Sequence, residues 1–94
     1  MWQTILFSFL AGLLGGNAVP HFVKGITKEN YPNVLGNSPV PNFVSGWAAL
    51  VITALLINWA QVEQYPLAAF IFVSLGVLLI GLFHSWIGAF RKKP

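Results

Sequence analysis

Hydrophobic positions along the chain fall into three long runs separated by two polar interruptions. The first runs from Trp2 to Val19, the second from Phe43 to Ala60 and the third from Pro66 to Phe90, none containing a charged side chain. A helix rises about 1.5 Å per residue, so the first two runs each extend about 27 Å and the third about 37 Å. The hydrocarbon core of a bilayer is about 30 Å thick, which makes each run a spanning helix; the third must tilt or project into the interface. Pro66 at its start is well placed, because a first helical turn has no use for the missing N–H. The pattern predicts an all-α membrane protein, one domain over residues 1–94. It has three transmembrane helices at about 2–19, 43–60 and 66–90, with an ordered, turn-rich loop at 20–42 between the first two.

The charges sharpen this picture. Lys24, Lys28 and Glu29 fall between the first two runs, Glu63 between the second and third, and Arg91, Lys92 and Lys93 after the third. Basic segments stay in the cytoplasm, and two spans separate Lys24 and Lys28 from the basic tail. Both can therefore be cytoplasmic together, giving an N-out, C-in orientation with the Glu63 connection outside. Trp2, Trp59, Tyr65 and Trp86 sit at or near span ends, where amphipathic rings favour the headgroup region, while Trp47 lies about a turn inside the second span. Arg91, Lys92 and Lys93 suit anionic headgroups, each charge contributing about 1 kcal/mol. A competing reading, signal-peptide cleavage after the small residues Gly16-Asn17-Ala18, is disfavoured by the uncharged start Trp2-Gln3-Thr4. The first span is expected to be kept.

Composition excludes more than it identifies. Charged residues make up only 7% of the chain, mean hydropathy is +0.73 and there is no Cys. A soluble enzyme, a disulfide scaffold, a zinc module and a disordered tail are thereby set aside. The basic pI comes from a handful of charges and carries no expectation of nucleic-acid binding. No phosphate-binding glycine loop, nucleophile elbow or His-Glu metal motif occurs, and Glu29 and Glu63 lie on opposite membrane faces. The chain is expected to have no catalysis of its own, no metal site and no cofactor.

Membrane helices associate where small residues let backbones approach. Ser8, Gly12 and Gly16 form such a stripe on the first span, Ser45, Ala49 and Thr53 on the second, and Gly81, Ser85 and Ala89 on the third. Their first expected use is mutual packing in one three-helix bundle. Self-association, or contact with another membrane protein, is the second.

The loop carries most of the remaining information. Residues 20–42 hold Pro20, Pro32, Pro39 and Pro41 with Asn30, Asn33, Asn37 and Asn42, a composition that makes shaped turns. Its apolar residues, including Phe22, Tyr31 and Leu35, predict that it lies on the membrane surface or tucks against the helices. Phe22, Lys24, Lys28 and Tyr31 are its candidate contact residues. The run Asn17-Ala18-Val19-Pro20-His21-Phe22-Val23-Lys24-Gly25-Ile26, then Tyr31-Pro32 and Ser38-Pro39-Val40-Pro41-Asn42, resembles a group of small bacterial multi-span proteins to which no activity is attached. The likeness covers about the first half of the chain. It implies a bacterial inner-membrane location and directs attention to this loop.

His21 and His84 are the only imidazoles. His84 lies seven residues before Arg91, about 10 Å of helix, so both histidines belong to the cytoplasmic half and can approach each other. Three readings follow. His84 is neutral and hydrogen-bonds a neighbouring helix; or the pair lines a polar or proton path with Asn17 and Ser85; or the two imidazoles ligate haem or a metal. At the level of function, the first expectation is a self-associating interaction or accessory subunit. A minimal oligomeric channel or transporter, and a bis-His electron-transfer subunit, are the alternatives.

Overall fold

A computed structural model describes residues 1–87. Among these, α1 spans Trp2–Ile26, α2 Pro39–Trp59 and α3 Pro66–Leu82, and α3 continues into a π-helical turn over Phe83–Ile87. All three helices are long and apolar enough to cross a membrane. Arg91, Lys92, Lys93 and Ala89 lie outside the described residues.

Helix boundaries near the loop differ from the sequence expectation. α1 does not stop before Pro20 but runs through it to Ile26. A proline removes one backbone hydrogen bond, a loss that membrane helices tolerate when neighbouring groups make it good. The true stop is a Schellman-type closure: Glu29 N–H donates to Lys24 O at 2.9 Å and Lys28 N–H to Gly25 O at 3.2 Å, with Lys28 in the left-handed region at φ 58°. α2 starts at Pro39 rather than Phe43, because Ser38 is extended and Pro39 supplies the preset φ of a first helical residue. The loop therefore shrinks to residues 27–38.

α1 is the central element. It packs against both α2 and α3, whereas α2 and α3 make no packing contact with each other. The expected mutual packing of three stripes is thus replaced by two separate pairings. Against α3, Gly12 lies so close that a Cβ there would overlap Val73 O, and Gly76 reciprocally meets Phe9 O. Gly16 faces Ile80. Against α2, Gly15 faces Thr53, while Gly25 and Gly46 approach the backbones of Phe43 and Phe22 within 2.6 Å of a would-be Cβ. The Phe22 and Phe43 rings pack beside these glycines with centroids 5.5 Å apart.

Gly81 was expected in the packing stripe of α3, yet it faces open space. The register of α3 on α1 puts Gly76 at the crossing instead. Ser8 is fully buried, and its hydroxyl and that of Thr4 have no hydrogen-bond partner among the described residues. Thr53 donates its hydroxyl back to Ala49 O at 2.7 Å, satisfying it within α2. Ala49 is half-buried and Ser45 accepts a hydrogen bond from the loop.

Candidate functional site

The residues with chemical potential converge at the loop end of the helices. α1 contributes Asn17 and His21, the loop Tyr31, α2 Asn42, and the π turn His84. A π turn widens the helix and changes which side its residues face, and such turns recur at functional positions. Here it carries the only ionisable side chain of the third span.

Asn42 is the pivot. It is fully buried in the first turn of α2. Its Nδ2 hydrogens are shared among three carbonyls, those of Tyr31 at 2.9 Å, Ser38 at 3.0 Å and Asn37 at 3.1 Å. Those bonds close the loop against α2. With its nitrogen committed to acceptors, Asn42 presents Oδ1 to His21 Nδ1 at 2.7 Å. An amide oxygen only accepts, so His21 carries its proton on Nδ1. His21 is buried, 8% exposed, within α1.

His84 is fixed in a similar way. Its Nε2 lies 2.6 Å from Asn17 Oδ1 and must donate there. In the neutral ring Nδ1 then accepts, and the Tyr31 hydroxyl donates to it at 3.3 Å. The loop is thereby tied to the end of α3 as well as to α2. The rings of His21 and His84 meet edge-on with centroids 6.5 Å apart, so the two histidines do approach as expected. Tyr31 packs against His21 at 5.2 Å and stands at 6.5 Å from His84.

The rest of the loop is ordered by its own amides. Tyr31 N–H donates to Asn37 O at 2.9 Å, Asn33 N–H to Asn37 Oδ1 at 3.1 Å, and Asn33 Nδ2 to Ser45 Oγ at 2.9 Å and Pro41 O at 3.3 Å. At the base of the loop, Lys24 Nζ pairs with Glu29 Oε1 at 2.9 Å. The Lys24 ammonium, then the Thr27 hydroxyl, hold the Glu29 carboxyl below its usual pKa of 4.5.

The candidate contact residues scatter. Phe22 packs between α1 and α2, Tyr31 points into the polar cluster and Lys24 is ion-paired, leaving Lys28 exposed. The outward apolar residues of the loop are Val34 and Leu35. Ser85, grouped with the histidines by sequence, is exposed and stands outside the network. Asn42 lies outside the candidate site residues that the sequence singles out, although it carries a signal. A strongly polar amide four residues after Ser38, inside an apolar helix start flanked by Pro39 and Pro41, has loop carbonyls as its natural partners.

Beside the cluster, Leu10, Leu13, Leu14 and Asn17 of α1 form the floor of an open groove of about 380 Å³, walled by Leu56 of α2 and Ile80 of α3. It exists because α2 and α3 flank α1 without closing over it. Among the described residues no group of three or more His, Cys, Asp or Glu could hold a metal ion. Compared with known protein families, with curated proteins and with solved structures, the chain matches none.

Proposed function

We propose that this chain is a small subunit of the bacterial inner membrane that works by association, with itself or with another membrane protein, and has no catalysis of its own. The observation that carries this reading is the self-satisfied polar cluster. Both nitrogens of His84, the Nδ1 of His21 and both polar atoms of Asn42 are committed to partners inside the chain. Side chains so engaged hold a loop in place; they do not await a substrate. The apolar faces of α2 and α3 that do not meet each other, with the outward Val34 and Leu35, supply the surface for association. The resemblance of residues 17–42 to small bacterial multi-span proteins supports the inner-membrane location. The placement of Lys24 and Lys28 opposite Glu63 supports an N-out, C-in orientation.

Bis-His haem ligation fits this geometry poorly. Iron would need a free nitrogen on each ring, and His84 has neither without losing Asn17 or Tyr31. The channel reading keeps one supporting observation, the continuous contact of Asn17, His84, Tyr31 and His21 at the loop end of the helices, over about one turn of α1. The mass of the full chain in a native membrane mimetic, with proton flux measured in liposomes of the same preparation, tests the proposal. A defined oligomer or a stable complex with flux no greater than in protein-free liposomes is expected. Flux that His84→Leu abolishes would overturn it in favour of the channel.

A further inference from the structure

We infer that the tip of the loop is a lipid anchor: Val34 and Leu35, with Val40 beside them, lie in the boundary between headgroups and acyl chains of the leaflet on the loop side. This narrows the association reading, because it leaves the faces of α2 and α3 to other chains, and it does not rest on it.

Depth is the first argument. At the opposite turn Gln3 Nε2 donates to Trp59 O at 2.7 Å, which levels the start of α1 with the end of α2. The exposed rings of Trp2 and Trp59 mark one edge of the hydrocarbon there. From Trp2 to Lys24 the helix rises about 33 Å, so α1 carries the Lys24–Glu29 ion pair just past the other edge of a core about 30 Å thick. The chain then turns back. Tyr31 reaches His84 within the third span, and Asn33 Nδ2 reaches Ser45 Oγ at 2.9 Å. Ser45 stands only about 21 Å from Trp59 along α2, about 9 Å short of that far edge. Two short side chains bridge Asn33 to Ser45, so Val34 and Leu35, next along the chain, stand at the level of the edge rather than above it in water.

Polarity agrees with depth. Val34, Leu35 and Val40 are 83%, 69% and 71% exposed, whereas Asn33 and Asn42 turn their amide nitrogens inward to Ser45, Pro41 and the loop carbonyls. A loop facing water would show the reverse arrangement, apolar side chains in and amides out. No Lys, Arg, Asp or Glu occurs from Asn30 to Val62, so the tip continues the uncharged stretch of α2.

The backbone sets how deep the tip goes. The N–H groups of Val34 and Leu35 have no partner among the described residues, a state that pure hydrocarbon does not tolerate. The headgroup boundary offers ester and phosphate oxygens and water to those donors, and still takes up the aliphatic side chains.

The test uses the natural absence of Cys. A nitroxide spin label is placed at Val34→Cys or Leu35→Cys of the full chain in phosphatidylcholine nanodiscs, with Lys28→Cys and Leu78→Cys, on an exposed face of α3, as references. Collisions are measured with oxygen, which concentrates among acyl chains, and with a water-soluble nickel chelate. Both tip labels should lose the nickel collisions seen at Lys28→Cys and gain oxygen collisions, short of the level at Leu78→Cys. Adding Leu35→Asp to Val34→Cys places a carboxylate in the boundary and should restore the nickel collisions, with Leu78→Cys in the same background unchanged as the check on folding. Nickel collisions at Val34→Cys and Leu35→Cys equal to those at Lys28→Cys would overturn the inference in favour of a solvated loop. Few collisions with either reagent would overturn it in favour of a second copy covering the tip. That last result would support the association reading, so the two proposals fail separately.

Discussion

At the residue scale, one buried amide connects three parts of the chain. Asn42 satisfies three loop carbonyls and the His21 ring together. Asn42→Leu keeps the volume and removes all four bonds, leaving His21 Nδ1–H and the carbonyls of the loop exposed to low dielectric. Interhelical hydrogen bonds in membranes contribute about 0.6–2 kcal/mol each, and orphaned groups cost about 1–3 kcal/mol. A loss of about 2–4 kcal/mol is therefore expected, measured as unfolding free energy in mixed micelles, with Asn42→Asp less damaging because it retains an acceptor for His21. Glu29 gives a second expectation at this scale. Its folded pKa is depressed, so its contribution is present above the ordinary pKa of 4.5 and is lost as pH falls through the lowered value. Amide exchange at Thr27, Lys28 and Glu29 should accelerate as pH drops below about 4.5, beyond the intrinsic pH trend, and Glu29→Gln should remove that excess. Because the carboxylate is fully exposed, global stability should barely change.

At the element scale, the helices meet through glycine backbones, and these contacts decide where each helix lies. Gly12 and Gly76 form the crossing of α1 and α3, and a side chain on either would collide with main-chain oxygen that cannot move aside. Gly76→Leu should separate the helices and release His84 from Asn17, costing about 2–4 kcal/mol in unfolding free energy. Gly81→Leu, one turn and a residue further along, should be neutral or slightly stabilising, since it faces open space. Equal losses in the two variants would remove the crossing from the account. The same contrast marks what was legible in the sequence. Long apolar runs announced three spanning helices, and clustered Pro and Asn announced an ordered loop. Spacing by fours made Gly12 and Gly81 look equivalent, because periodicity finds a smooth face without revealing which neighbour reaches it. The extension of α1 through Pro20 was hidden for a related reason. A proline lowers helix propensity locally, while the Schellman closure at Lys28 and the packing of Phe22 and Gly25 on α2 act over longer distances and win.

At the scale of the whole molecule, the chain is a central helix with two flanking helices and a loop that bridges their ends. The approach of His21 and His84 was readable from topology alone, since both had to lie toward one membrane face. The role of Tyr31 as the bridge between them was not, because it depends on how Asn33, Asn37 and Asn42 fold the loop back. The same asymmetry of ends governs insertion. All five Lys and Arg residues belong to the loop side or the tail, and Glu63 is the only charge at the opposite turn. Each basic residue held on the cytoplasmic side opposes translocation of its segment, so the proposed N-out, C-in orientation has no competing signal along the chain. The natural absence of Cys makes this directly measurable. In intact cells, Glu63→Cys should react with a membrane-impermeant maleimide, while Lys28→Cys should react only after permeabilisation. Adding Gln61→Lys and Gln64→Lys places two positive charges on the outer turn, against Lys24 and Lys28 and the tail. That variant should expose a minority of Lys28→Cys to the reagent in intact cells. Complete labelling of Lys28→Cys in the otherwise unaltered chain would reverse the orientation. It would also place the polar cluster at the outer face.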